Sequence, residues 1–270
     1  MQRVEELNEI EQAGFYSKVL RSSYRFDMVE VRPIVGGLLS PALLEECRSL
    51  LYIRFNNNVG SMLELKHVAH FQALGMLARS LYELTVDIQL LDIEPRAAIL
   101  MCGYLDVEKL KACRSSVAFS KQQGAAPSTI QETYIQNHEA RIKSLAAQLW
   151  QNQRLSEVTH WTGENLPTRV KRLSVEMQGI YAYSYKQMSW TVHSGLQGSY
   201  GLSKEIFPRL CSQAYQLATD VYEKTLTAMI NNLQLYRADP KIREKLRLAR
   251  YLPFTDTVEE EASIRRELGL

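Results

Sequence analysis

The placement of glycine and proline constrains the fold of this chain more than any other feature of its sequence. The 270 residues include only 13 glycines and 8 prolines, and these divide the chain into long segments in which apolar residues recur at helical spacing. A β protein would instead show short, evenly spaced strands between turn residues. The pattern predicts an all-α protein: a single multi-helix bundle with long central helices, an N-terminal extension and a C-terminal helical appendage.

The same features predict three regions: an N-terminal extension over 1–39, a helical bundle over 40–236 and a helical tail over 237–270. No tandem repeat, low-complexity tract or Gly/Ser linker marks a boundary between two independent domains. In the extension, we expect a short amphipathic helix near 2–13. The segment around 31–37 contains Val31, Pro33 and two glycines, and there we expect no helix.

Within the bundle, capping and helix-breaking residues predict where helices begin and end. Ser40-Pro41 is typical of a helix start, and three asparagines followed by Gly60 predict the end of that helix. Other helices are predicted over about 61–92, from Pro95 to Gly124, over 128–152, from Pro167, over 180–194, from 203 or 207 to 236, and from Asp239-Pro240 onward.

The helix predicted over 61–92 is apolar on nearly its whole circumference, which is typical of a helix in the middle of a bundle. Arg79, Glu83 and Asp87 interrupt its most apolar stretch at every fourth position. A membrane span tolerates such charges poorly, so we expect no membrane partner.

Charge and cysteine content limit which partners and which cellular compartment we expect. With 32 basic and 30 acidic residues, the net charge of +2 predicts no global field that attracts nucleic acid or membranes. The four cysteines form no C-x-x-C pair and are expected to be buried thiols in a reducing compartment: Cys47, Cys102, Cys113 and Cys211. The amino terminus lacks the apolar core of a signal peptide, and we expect a cytoplasmic protein.

Two groups of polar residues lie on helices where apolar residues are expected. Arg79 and Glu83 are one turn apart on the most apolar helix, where they can form an ion pair. A second predicted helix carries polar residues at every fourth position, along one stripe: Tyr181, Tyr185, Ser189 and His193. Buried polar groups need hydrogen-bond partners, and Arg79 and Glu83 are candidates for that role.

If these two helices face each other, five residues form one candidate catalytic site: Arg79, Glu83, Tyr185, Ser189 and His193. The set suits phosphate binding or phosphodiester cleavage, with His193 as general acid or base and Arg79 stabilising developing charge. It equally suits a structural polar network that fixes helix register.

These motifs form an ordered set along the chain. The segment from Phe71 to Glu83 is followed by Trp161-Thr-Gly163, a short basic helix and the stripe from Tyr181 to His193. Over residues 65–200, this set resembles a bacterial all-helical family of unknown function. The resemblance implies a helical bundle and no established activity.

More remotely, the chain resembles the HEPN class of helical domains, many of which are RNases of toxin and antiviral systems. That class usually carries an Arg followed four to six residues later by a His, and the comparable spacing here is Arg154 to His160. The resemblance implies an effector of bacterial stress response or antiviral defence, with RNA or a nucleotide as ligand and ribonuclease activity as the enzymatic hypothesis.

Two other functions fit the sequence. One is a non-catalytic protein–protein interaction module whose partner element is the C-terminal tail, with a protein partner or a homo-oligomer. The other is a small-molecule sensor with a pocket lined by Tyr181, Tyr185 and Trp190.

The remaining motifs are weaker. Glu64-x-x-His67-x-x-His70 has the spacing of metal ligands in bundles, but no second Glu-x-x-His helix accompanies it, so we expect no metal and no cofactor. Two basic runs are expected to be solvated helix faces or, in the second case, a surface for an acidic partner or RNA backbone: Arg169, Lys171 and Arg172, then Lys241, Arg243, Lys245, Arg247 and Arg250.

Overall fold

The computed structural model describes residue 4 and residues 7–37, 42–151, 153–192, 204–255 and 258–268. Every regular element in these ranges is a helix, which confirms the all-α prediction. The α-helices are α1 (Glu9–Phe26), α2 (Arg32–Gly37), α3 (Leu43–Glu64), α4 (Phe71–Ile93), α5 (Ala97–Gln122), α6 (Thr129–Leu149), α7 (Leu166–Lys171), α8 (Val175–Ile180), α9 (Lys186–Val192), α10 (Phe207–Asn232), α11 (Ile242–Tyr251) and α12 (Val258–Glu267).

The helices form two compact units. Unit 1 comprises the described residues of Met1–Asp92 and Leu173–Leu270, and unit 2 comprises those of Ile93–Arg172. The region boundaries expected after residues 39 and 236 both fall inside unit 1. None of the described helices is long and apolar enough to cross a lipid bilayer.

In unit 1, the first helix packs along α10 and joins both ends of the chain into one core. Its start is fixed by a capping box: Asn8 Oδ1 accepts hydrogen bonds from the amides of Ile10 and Glu11, and the Glu11 carboxylate accepts one from the amide of Asn8. On the inner face of α1, Leu20 and Phe26 are fully buried. Burial of each such side chain contributes roughly 1.5–3 kcal/mol.

The expected short helix near 2–13 and the absence of helix around 31–37 were both wrong. From Phe26 the chain continues as a π-helix over Asp27–Val31 and then as α2. Val31 and Val35 are buried, and this burial outweighs the low helix propensity of the neighbouring glycines. Pro33 lacks the amide hydrogen that a regular helix would use. The π-helical turn lies directly before Pro33, and helices commonly depart from regular geometry near a proline.

The expected helix end at the three asparagines was also wrong, because α3 runs through them to Glu64. Two of these side chains make tertiary contacts: Asn56 Oδ1 accepts from the Tyr222 hydroxyl at 3.2 Å, and Asn58 Nδ2 donates to Ser80 Oγ at 2.9 Å. Gly60 allows a close approach, since a Cβ there would lie 3.0 Å from the hydroxyl of Tyr24. Because α3 continues to Glu64, the next long helix, α4, begins at Phe71 and not at residue 61 as expected.

The C-terminal helices are part of unit 1. Three apolar residues of α11 are buried, Ile242, Leu246 and Ala249, and this helix packs against α1 and α10. Ile264 of α12 and Leu268, the residue after this helix, are also buried. The apolar side of the predicted appendage is thus already occupied by its own chain.

Unit 2 is built on the hairpin of α5 and α6. Arg114 pairs with Glu139, and Arg141 Nη2 lies 3.0 Å from Asp106 Oδ2. Of the four cysteines, all free, Cys47 and Cys211 are buried, whereas Cys102 is exposed and Cys113 is half-buried. The prediction of four buried thiols was therefore wrong for the two on α5, Cys102 and Cys113.

Candidate functional site

The structure brings Arg79, Glu83 and Tyr185 together in unit 1. Nη2 of Arg79 donates a hydrogen bond to the Tyr185 hydroxyl at 2.9 Å, and this hydroxyl donates to Oε1 of Glu83 at 2.6 Å. Arg79 and Glu83 themselves are 3.7 Å apart, between Nη2 and Oε1. We call these three residues the Arg79 cluster.

Of the other two predicted site residues, Ser189 is described by the structure and His193 is not. Ser189 lies on α9, one turn beyond Tyr185, and is half-buried. His193 lies outside the described residues, as does the side chain of Trp190, which belonged to the predicted sensor pocket. The tyrosines of that pocket, Tyr181 and Tyr185, stack with ring centroids 5.3 Å apart.

A π-helical turn positions Tyr185. The helix predicted over 180–194 consists of α8, a π-helix over Tyr181–Tyr185, and α9. Besides the Arg79 cluster, Tyr82 joins this segment to α4: its hydroxyl donates to the carbonyl of Met177 at 2.9 Å, and its ring lies 5.0 Å from that of Tyr185. Single π-helical turns inside α-helices occur frequently at functional sites, because they redirect the side chains that follow.

The electrostatics of the cluster keep the tyrosine protonated. Burial, followed by the hydrogen bond to Glu83, raises the pKa of Tyr185 to about 12, although Arg79 acts in the opposite direction. The Tyr185 hydroxyl is therefore a donor to Glu83 at neutral pH. The guanidinium carbon of Arg79 also lies 5.0 Å from the centroid of the Tyr185 ring, within the range of a cation–π interaction.

The cluster leaves part of the guanidinium available. The side chain of Arg79 is 19% exposed and that of Glu83 is 42% exposed, so solvent reaches both. No described residue accepts a hydrogen bond from the buried Nε of Arg79. Because arginine carries five N–H donors in a rigid fork, an oriented Arg79 can bind a phosphate or carboxylate.

Of the possible metal ligands near residue 67, one histidine caps a helix. Nδ1 of His67 accepts a hydrogen bond from the amide of Ala69 at 3.1 Å, which caps a short 3-10 helix over Val68–His70. Within the described ranges, no group of three or more His, Cys, Asp or Glu side chains has a geometry suited to a metal ion.

A second buried polar cluster was not predicted from the sequence. Asp27, the first residue of the π-helix after α1, is fully buried and accepts a hydrogen bond from the hydroxyl of Tyr52. Burial raises the pKa of Asp27 to about 7, while Tyr222 and Arg32 act to lower it. The only signal in the sequence was a charged residue one position after the buried Phe26, which does not by itself distinguish a buried carboxylate from a solvated one.

In unit 2, the predicted Trp-x-Gly motif forms a folded loop. Trp161 is buried, and its carbonyl accepts a hydrogen bond from Nε1 of Trp150 at 2.9 Å. Gly163 has a φ of 73°, in the left-handed region that favours glycine. His160, the histidine of the HEPN-like spacing, lies with its Nε2 2.8 Å from Nη1 of Arg169.

The first basic run is not a solvated face, contrary to the expectation for it. Arg169 is buried. Arg172 pairs with Glu94 and Glu164, with N–O distances of 2.9 and 3.1 Å. These two arginines serve the packing of unit 2, whereas Lys171 is exposed.

The fold and the site define a class: an all-helical protein with a half-buried Arg–Tyr–Glu cluster next to a π-helical turn. The chain belongs to the Family of unknown function (DUF5677), whose family model matches residues 48–205. This range includes the Arg79 cluster and the Trp161 loop, and it ends before α10 begins. A search of curated proteins and a search of solved structures each gave no match.

Proposed function

We propose that this protein is a HEPN-like helical effector of bacterial stress response or antiviral defence that acts on RNA or another phosphate-bearing ligand at the Arg79 cluster. The observation that carries the proposal is the state of Arg79. Its guanidinium is held in one orientation by Tyr185, is partly open to solvent, and has a buried Nε without an acceptor among the described residues.

This arrangement suits a phosphate better than it suits a simple structural ion pair. A purely structural arginine on an apolar helix is expected to direct its donors at protein acceptors, because each unpaired buried donor costs roughly 1–3 kcal/mol. Arg79 instead comes no closer to Glu83 than 3.7 Å, and its shorter contact, at 2.9 Å, is to the neutral hydroxyl of Tyr185. A phosphate provides several acceptor oxygens for such a guanidinium.

The proposed acid–base step assigns different roles to different residues. Tyr185, with its raised pKa, acts as a donor and not as a base. His193 continues the stripe of Tyr181, Tyr185 and Ser189 in the sequence. In the proposal it is the general acid or base of phosphodiester cleavage, a role that suits an imidazole at neutral pH. Arg79 stabilises the charge that develops on the phosphate.

The test uses the full chain with single-stranded RNA as substrate and follows cleavage on gels. His193→Ala and Arg79→Gln are expected to reduce the cleavage rate by about a hundredfold or more, the usual effect of removing general acid–base or electrostatic catalysis. Circular dichroism and thermal melting establish that each variant keeps its helical content.

Arg48→Gln is the matched control. Arg48 lies on α3, pairs with Asp92 at 2.7 Å, and has a side chain that is 12% exposed. Its substitution also removes a half-buried arginine from an ion pair of unit 1, but away from the proposed site, so cleavage is expected to persist. Absence of cleavage and of RNA binding in the wild type, or equal activity in Arg79→Gln, would refute the proposal.

A second candidate function, a non-catalytic interaction module, is favoured by an exposed seam on α5. Residues at seven-residue spacing on this helix are apolar, and the two large ones are exposed, Leu105 at 55% and Phe119 at 64%; the seam consists of Ala98, Leu105, Ala112 and Phe119. Large exposed apolar residues along one helix face form a surface that a partner can cover. The partner proposed for the seam is a second copy of the chain.

Sedimentation velocity over a range of protein concentrations tests this candidate. Phe119→Asp is expected to shift the protein from dimer to monomer, because it places a charge on the seam without altering a buried residue. Ile53→Asp, at an exposed apolar position of α3, is the control and is expected to leave the dimer intact. A wild type that sediments as a monomer at every concentration would eliminate this candidate.

A further inference from the structure

The second basic run contributes three arginines to a cleft between α10 and α11. Arg243, Arg247 and Arg250 follow one another at intervals of four and three residues, so they lie along one face of α11. They line a cleft of about 460 Å³ in unit 1, together with residues that are mostly on α10: Glu223, Thr227, Ile230, Asn231 and Leu246.

Neighbouring side chains hold two of these arginines in place. Arg250 is hydrogen-bonded to Glu223. Nη2 of Arg243 donates to Oδ1 of Asn231 at 2.6 Å, and its guanidinium carbon lies 5.4 Å from the centroid of the Tyr236 ring. Arg247 is exposed and forms no ion pair or hydrogen bond with a described residue. The cleft therefore has two oriented guanidiniums and a third that is available to a ligand.

Other charges near the cleft do not neutralise it. Three arginines face one carboxylate within the lining, that of Glu223. Asp220 lines a neighbouring cleft of about 330 Å³ that shares Arg247 and Arg250. Lys245, in the same basic run, belongs to the structure instead, because its Nζ lies 2.7 Å from Glu30 and 3.0 Å from Asp239. The run thus contains one structural lysine, three arginines that face the cleft, and Lys241, which is exposed and outside the lining.

We infer that this cleft binds the phosphate groups of a small ligand of nucleotide size. Guanidiniums are suited to phosphate, because their planar N–H forks match its oxygens. The hydroxyl of Thr227 and the amide of Asn231 add hydrogen-bonding groups. Ile230 and Leu246 are the apolar residues of the lining. Leu246 has the larger exposed fraction, 8% against 1%, and is the apolar contact proposed for a base or another planar group.

This site is separate from the Arg79 cluster and does not depend on the proposed function. It uses α10 and α11, which lie beyond the residues that match the family model. Loss of ligand at the cleft and loss of RNA cleavage at the Arg79 cluster are therefore independent outcomes.

Isothermal titration calorimetry of the full chain with inorganic pyrophosphate and with adenosine triphosphate tests the inference. Both are expected to bind, since both carry linked phosphates, and Arg247→Ser is expected to weaken binding by about tenfold or more. Tighter binding of the triphosphate than of pyrophosphate would show that the apolar lining contacts the base, whereas equal binding would show recognition of phosphate alone. Either result supports the inference.

Arg25→Ser is the charge-matched control. Arg25 is exposed and lines another basic cleft of unit 1, together with Lys18, Arg21 and Arg265. An equal loss of binding in Arg25→Ser and Arg247→Ser would overturn the inference, because it would indicate diffuse attraction to positive charge. It would also be overturned if neither probe binds, or if only single-stranded RNA binds and does so through Arg247. Unchanged melting temperatures of both variants establish that folding is not the cause.

Discussion

The hydroxyl of Tyr185 donates a hydrogen bond to Glu83 across 2.6 Å and accepts one from Arg79 across 2.9 Å. A neutral side chain thus connects a cation and an anion that are 3.7 Å apart. This arrangement joins the π-helical turn that ends at Tyr185 to α4. The orientation of the proposed phosphate-binding arginine therefore depends on a residue that carries no charge.

Replacing Tyr185 by phenylalanine removes this connection while keeping the ring. Both hydrogen bonds are lost, and we expect the free energy of unfolding to fall by about 1–2 kcal/mol. RNA cleavage should fall as well, because Arg79 loses the group that orients it. Urea denaturation measures the first effect and the cleavage assay the second.

Tyr183→Phe is the control for this variant. Tyr183 lies on the same π-helical turn, but its side chain is 76% exposed, so its substitution should leave both stability and activity unchanged. Equal effects of the two substitutions would indicate that the turn, and not the hydroxyl of Tyr185, is responsible.

The sequence predicted the contact between Tyr185 and the α4 pair because it depends on regular helical spacing. Arg79 and Glu83 share a face at an interval of four residues, and the tyrosine stripe has the same interval. Only one assumption about packing was needed, namely that the two helices face each other. The π-helical form of residues 181–185 was not predicted, since apolar and polar periodicity does not distinguish a π-helical turn from an α-helical one.

The errors near Pro33 and Gly60 share a physical cause. Both predictions used local propensity, in which glycine, asparagine and proline disfavour helix. In the structure, long-range contacts override it, through the burial of Val31 and Val35 and through the close approach of Tyr24 to Gly60. The Asp27 cluster could not be predicted for a similar reason, since Asp27, Tyr52 and Tyr222 meet only in the folded chain.

Replacing Asp27 by asparagine should stabilise the protein in a way that depends on pH. The pKa of Asp27 is raised from 3.8 to about 7 by burial, so the native state favours the neutral carboxyl. In the wild type, the contribution of Asp27 to the free energy of unfolding is fully present below about pH 4 and is lost as the pH rises through about 7. At about 1.4 kcal/mol per pH unit, the advantage of Asp27→Asn should grow to about 4 kcal/mol by pH 8.

Urea denaturation of both proteins between pH 5 and pH 8 measures this difference, and Asp239→Asn provides a control whose effect on stability should be constant over this range. Burial pushes the pKa of Asp239 up, but hydrogen bonds from the Lys245 side chain and the Lys241 amide outweigh it and leave the pKa lowered. The contribution of Asp239 is therefore present above its ordinary pKa and is lost as the pH falls below it. A pH-independent difference for Asp27→Asn would contradict the assignment of a neutral carboxyl.

The loop of unit 2 provides a test of backbone and steric effects at glycine. Gly163 and Gly124 have nearly the same left-handed φ, 73° and 69°. A Cβ at Gly163 would lie 2.8 Å from Cδ1 of Trp150, whereas a Cβ at Gly124 would have no heavy atom of the described residues within 4 Å apart from its neighbours in the chain. We expect Gly124→Ala to cost about 1 kcal/mol from backbone strain alone, and Gly163→Ala about 2–4 kcal/mol, because the indole must also move.

Chemical denaturation measures both costs, and hydrogen exchange of amides near 150–165 localises the second. Increased exchange in this loop is expected in Gly163→Ala and not in Gly124→Ala. Equal costs for the two substitutions would show that the contact with Trp150 is relieved without strain.

A buried pair of threonines provides the last test, because it joins α4 to α10. The hydroxyls of Thr85 and Thr225 are 2.8 Å apart, and Thr85 Oγ1 also donates to the carbonyl of Leu81 at 2.9 Å, so Thr225 is the donor between the two. Thr85→Val leaves the Thr225 hydroxyl unpaired and should cost about 1–3 kcal/mol. The double variant Thr85→Val/Thr225→Val should cost less than the sum of the two single variants, because no unpaired hydroxyl is left. A double-mutant cycle from urea denaturation measures this coupling, and additive costs would mean that the two hydroxyls contribute independently to the packing of these helices.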